Sequence, residues 1–163
     1  MPITIGVDIK AFRGGKTGIS RYLRAILDRL QEIDTENSYV LFEYGPSVYT
    51  PHNPRWEVIP FTKPVSGLVW QQFVLPFLVK RHKVSVLWCP EQVCPLAART
   101  GIVTTAHDLV FVHYPRTLAW SMTLILRTLF PRTLRASDRV AADSEYTRQD
   151  VLKTYRGLID ESR

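Results

Sequence analysis

The chain has 163 residues, 45% of them hydrophobic, which suits one domain with a buried core, and it shows no internal repeat or low-complexity tract. Lys and Arg number 21 against 15 Asp and Glu, a formal charge of +6. That balance favours anionic partners (nucleic acid, acidic lipid or phosphorylated small molecules) or marks a solvated basic surface; no helix-turn-helix, RNA-binding or zinc-finger signature supports nucleic acid.

Residues 3–8 read as a short apolar strand whose start at Ile3 leaves no room for a signal peptide, so a cytoplasmic location is expected. A helix follows over 19–33, with Tyr22, Leu23, Ile26, Leu27 and Leu30 spaced for one face. Between them lies Arg13-Gly14-Gly15-Lys16-Thr17-Gly18-Ile19-Ser20. Glycines here let a ligand approach the backbone, and the free amides at a helix start attract an anion; an ordinary turn capped by Thr17 is the other reading. The loop is neither a Walker loop nor a complete G-x-G-x-x-G fingerprint. Residues 39–44 and 56–61 are strands separated by a Gly, Pro, Ser and Asn-rich loop over 45–55.

Residues 66–83 suit a helix ending in Lys80-Arg81-His82-Lys83. Gln71, Gln72 and Pro76 interrupt its apolar run, which is also shorter than the roughly 20 residues a bilayer span needs. Either it packs on the sheet with its basic end in water, or it lies on a membrane surface. Strands over 84–89 and 101–106 follow. Cys89 and Cys94 lack the spacing and histidine partners of a zinc site and are expected to be reduced, partly buried thiols. A helix over 118–136, a strand over 139–143 and a helix over 144–155 complete the chain. Strands alternating with helices imply an α/β fold, a mainly parallel sheet covered on both faces.

The apolar run over 102–106 ends abruptly on His107-Asp108. Ligands gather at the carboxyl ends of strands in open α/β sheets, so this pair is a candidate for contact with a reacting group. A histidine satisfied by a neighbouring carbonyl is the plainer alternative.

Taken in order, Val7-Asp8, Thr17-Gly18-Ile19-Ser20-Arg21-Tyr22, Trp70-Gln71-Gln72 with Leu75-Pro76, Trp88-Cys89-Pro90 with Cys94-Pro95-Leu96, His107-Asp108-Leu109 to Tyr114-Pro115, and Ala142-Asp143-Ser144-Glu145-Tyr146-Thr147 resemble family 4 glycosyltransferases over nearly the whole chain. The resemblance is to the amino-terminal, acceptor-side domain. It implies a Rossmann-like three-layer α/β/α domain over 1–156, one half of a GT-B architecture, with 157–163 opening an interdomain linker and the carboxyl-terminal donor-binding domain outside this chain. It further implies retaining transfer of a sugar from a nucleotide-sugar donor to a glycan, lipid-linked or other acceptor, without a bound metal or cofactor. The chain alone is then expected to be inactive. A non-catalytic binding module for anionic lipid or a partner protein is the alternative.

Residue by residue, the resemblance matches Thr17 and Gly18, with Gly15 beside them, to the pair approaching the donor diphosphate. It matches His107 to the histidine near the transferred sugar, as the catalytic candidate. Asp108 is expected to anchor that histidine or the following loop. Ser144 opens the last helix as a cap or a ligand contact, and His113 and Tyr114 line an acceptor pocket or pack. Lys10 stands where the family often has arginine, and Gly14-Gly15 replace a proline-containing loop. A peripheral contact at the inner face of the membrane is a further expectation.

Overall fold

A computed structural model describes residues 1–46 and 48–162 of the chain. Among them β1 (Thr4–Asp8), β2 (Ser38–Tyr44), β3 (Trp56–Phe61), β4 (Val86–Cys89), β5 (Gly101–Ala106) and β6 (Arg139–Ala142) form one sheet in the order β3-β2-β1-β4-β5-β6. Every pairing is parallel. The order reverses between β1 and β4, where Ile5 faces Val86 and Val7 faces Trp88. In such a doubly wound sheet the crevice outside the strand ends at this junction is where ligands bind. The fold is Rossmann-like α/β, with all six strands parallel.

Alternation along β2 shows how the sheet takes a helix on each face. Tyr39 and Leu41 join Val7, Leu23 and Leu27 beneath α1 (Gly18–Ile33), whereas Val40, Phe42 and Tyr44 join Trp70, Leu75 and Val79 on the opposite face. Gly6 lets β1 fit among its neighbours: a Cβ there would lie 2.9 Å from both Phe42 and Val84 side-chain atoms. A third cluster, including Ala106, Phe111, Phe130, Leu134 and Val151, packs α4 (Val110–His113), α5 (Trp120–Ala136) and α6 (Glu145–Thr154) around the ends of β5 and β6. Ile159 packs against this cluster after Gly157 turns the chain at φ 87°.

The helix expected over 66–83 is a composite. α2 (Gly67–Val69) runs through a π turn (Trp70–Val74) into α3 (Leu75–Arg81). Leu75 N–H donates to Trp70 O, one residue further back than in an α-helix. Pro76 has no N–H for the carbonyl of Gln72, so the widened turn falls where the ordinary ladder would break. Ser66 caps the start by accepting from Val69 N–H. Strand limits also shift: β4 begins at Val86 and β6 ends at Ala142, each with one ladder bond beyond it, from Ser85 N–H to Thr4 O and from Asp143 N–H to Ala106 O. Cys89 and Cys94 are free and fully buried rather than partly so, since both face the sheet core beneath α3.

Candidate functional site

The β1–α1 loop opens the site. Gly15 takes a left-handed turn at φ 77°, and Thr17 caps α1 through a reciprocal box: Ser20 N–H donates to Thr17 Oγ1 at 3.1 Å, and Thr17 N–H donates to Ser20 Oγ at 2.8 Å. The cap takes the amide of Ser20, and the first helical bond runs from Arg21 N–H to Thr17 O. Among the described residues no acceptor meets the amides of Gly18 and Ile19. These sit at the positive end of a 16-residue helix. A Cβ at Gly15 or Gly18 would meet nothing within 4 Å, so neither glycine is required by packing inside the chain. A cleft of about 450 Å³ beside the loop is lined by Gly15, Lys16, Ser20, Arg21 and Arg24, together with Phe12 and Val48. Arg24 is braced over the Phe12 and Tyr49 rings at 5.0 and 5.2 Å.

His107 follows β5 at the same edge. Its Nδ1 lies 3.1 Å from Asp143 Oδ2 and its Nε2 lies 2.8 Å from Pro90 O, while Tyr22 of α1 meets the ring edge-on with centroids 5.2 Å apart. Tyr22 is one turn into α1, so the histidine sits against the helix whose start carries the free amides. Both ring nitrogens face acceptors, and a neutral imidazole has one N–H to give. The side chain is only 9% exposed, so any ligand hydroxyl reaching Nε2 competes with the Pro90 carbonyl.

Asp108 anchors the following loop and leaves the histidine to Asp143. Its Oδ1 accepts from Val110 N–H at 3.0 Å and its carbonyl accepts from Gln92 Nε2 at 2.9 Å. Consecutive residues leaving a strand point to opposite faces, which separates Asp108 from the His107 ring. Ser144 caps α6, accepting from Thr147 N–H at 3.1 Å, and Thr147 Oγ1 donates to His107 O at 2.9 Å. His113 pairs with Asp150 at 2.9 Å, beside an exposed Tyr114. His107, Asp108, His113 and Tyr114 line one small cavity of about 190 Å³ with Tyr146 and Asp150. The carboxyl edge thus holds two groups, the α1 loop with His107, and the shallow cavity beyond it.

The junction between β1 and β4 carries residues whose part the sequence did not reveal. Asp8 is 2% exposed, and its Oδ1 accepts from Trp70 Nε1 at 3.1 Å and Lys10 N–H at 3.2 Å. Burial pushes its carboxyl up to about 6, with neighbouring Lys10 opposing the rise. Lys10 Nζ meets Glu91 Oε2 at 2.8 Å; burial alone would lower the ammonium, but Glu91 and Asp8 outweigh it and hold it above its ordinary value. Gln71 and Gln72, in the π turn, donate to Val93 O and Cys94 O at 2.5 and 2.9 Å and so fix the loop after β4. Burial, then the charge of Asp8, pushes the Cys89 thiol well up, which keeps it from acting as a nucleophile. Among the described residues no group of three or more His, Cys, Asp or Glu is placed to hold a metal ion.

A family model described as Glycosyltransferase Family 4 matches residues 16–163. The match begins inside the β1–α1 loop and includes Thr17, Gly18, His107, Asp108, His113, Tyr114 and Ser144, while Gly15 lies just outside it. A search of curated proteins found no match. With a parallel Rossmann-like sheet whose free helix amides and strand-end histidine share one edge, this chain belongs to glycosyltransferase family 4.

Proposed function

We propose that this chain is the acceptor-side half of a GT-B glycosyltransferase that transfers a sugar, with retention, from a nucleotide-sugar donor to a glycan or lipid-linked acceptor. The observation that carries this reading is the start of α1. Two free amides, a glycine whose Cβ would meet only open space and three basic side chains converge there, one helical turn from the residue that packs on His107. In such a transfer the bond between the sugar's anomeric carbon and the diphosphate breaks, and negative charge grows on the departing diphosphate. The Gly18 and Ile19 amides, with Lys16 and Arg21, face that charge as fixed donors and dipoles. Asp143 orients the His107 ring so that it addresses a donor hydroxyl across the edge. A second Rossmann-like domain supplies the remaining donor contacts.

The chain is titrated with UDP, GDP and ADP while its backbone amides are followed by NMR. One of these is expected to shift the signals of residues 15–20 and 107, and His107→Ala is expected to remove the response at its neighbours while sparing that at Gly18. No response at residues 15–20 to any of the three, at millimolar concentration, overturns the reading.

A further inference from the structure

We propose that the outer face of the α2–π–α3 segment docks on an anionic phospholipid bilayer. This surface is separate from the α1 loop, and the inference stands without the transfer reading. The inner face of the segment is spent on the core, where Trp70, Leu75 and Val79 are at most 3% exposed. A helix that merely covers a sheet turns a polar face to water. Here Val69, Phe73 and Phe77, each four residues from the next, form an outward apolar ridge, with the two phenylalanines 72% and 62% exposed.

The ridge ends in cations. Phe77 shares a cleft of about 670 Å³ with Lys80, Lys83 and Arg99. None of these three cations lies within ion-pairing distance of a carboxylate among the described residues. Lys83 also occupies a left-handed position, φ 51°, while its N–H closes the helix onto Lys80 O. That is the post-helical place that glycine fills most easily, and here a strained residue bears a charge.

Charge decides the occupant. A second copy meeting this face offers its cations no complement, because residues 66–83 contain neither Asp nor Glu. A bilayer offers both complements at once: acyl chains for Phe73 and Phe77, and anionic headgroups for Lys80, Lys83 and Arg99. The segment starts at the carboxyl edge, where Trp70 bonds Asp8, and ends beside Ser85 at the opposite edge. Lying flat, it holds the crevice close to the lipid surface.

The test is flotation of the chain with phosphatidylcholine vesicles and with the same vesicles containing phosphatidylserine. Binding to the anionic vesicles alone is expected, weakening with salt. The pair Lys80→Glu and Lys83→Glu is expected to weaken it by more than tenfold, since each cation near an anionic surface is worth roughly a fivefold change. Phe73→Ser with Phe77→Ser is expected to abolish it at unchanged melting temperature, because both rings are exposed. Equal binding to both vesicle types, no binding, or binding untouched by either pair overturns the proposal. So does a dimer in sedimentation velocity that the phenylalanine pair dissociates, which assigns the ridge to a second copy.

Discussion

Gly18→Ala separates what the fold needs from what a ligand needs. The added Cβ meets nothing within 4 Å, and Gly18 lies outside the left-handed region, so the folded state accommodates it. Alanine is favoured over glycine in a helix by up to about 1 kcal/mol, partly because the unfolded chain loses freedom. For a chain of this length that raises the melting temperature by roughly 2–4 °C, or leaves it unchanged at a helix start. An anion on the Gly18 and Ile19 amides must approach the backbone closely, and the methyl group stands in that approach. Losing one charge-assisted hydrogen bond, worth roughly 1.5–3 kcal/mol, lowers affinity on the order of 10- to 100-fold. Thermal unfolding and calorimetric titration with pyrophosphate and with the nucleoside diphosphate that binds the parent chain measure the two quantities on one sample. Unchanged affinity at unchanged stability refutes the assignment of these amides to an anion. A fall in melting temperature refutes the claim that the glycine is free of packing duty.

Two further perturbations test the scaffold. Gly6→Ala forces a Cβ to 2.9 Å from Phe42 and Val84 in a buried strand, and is expected to cost about 1–3 kcal/mol in chemical denaturation; a neutral result would show that those side chains move aside freely. Asp8 carries a pH dependence: because the folded state holds its proton up to about 6 against an ordinary 3.8, stability is highest below the lower value and falls as pH rises through the upper one. Asp8→Asn keeps an oxygen acceptor for Trp70 and Lys10, so the wild type is expected to lose about 3 kcal/mol relative to the variant between about pH 4 and about pH 7, and parallel pH profiles would contradict it.

The strands and the main helices were legible because burial leaves a short, near-continuous apolar run where a strand is covered on both faces, as in Tyr39 to Tyr44, and a period of 3.6 along a helix, as in Tyr22 to Leu30. The π turn was not, since Pro76 looks the same whether it kinks, stops or widens a helix. Adjacency left two readings of Asp108 open, a partner for His107 or an anchor for the following loop, and the second holds. Asp108 is its neighbour in sequence, but the strand's alternation turns it away, and Asp143, 36 residues further on, faces the ring because β5 and β6 pair Ala106 with Ala142. The same register lets Thr147 reach His107 O. Asp8, Lys10, Trp70 and Glu91 meet only because β1 and β4 are neighbours, a long-range pairing that no local pattern records. A clue existed in Lys10, a charged residue immediately after an apolar strand, but it named no partner.

The pairing of β1 with β4 also governs when the candidate site comes into being. β1 meets β4 only after residues 9–85 have been looped out, and the α1 loop and His107 lie on opposite sides of that seam. Closing a loop of that length carries an entropic penalty before any contact rewards it, which places the seam among the slower events of folding. No partly folded chain lacking it presents the edge. A ligand that spans the seam therefore has nothing to grip until folding is nearly complete; it holds the finished molecule shut, slowing its unfolding, and does little to hasten its assembly.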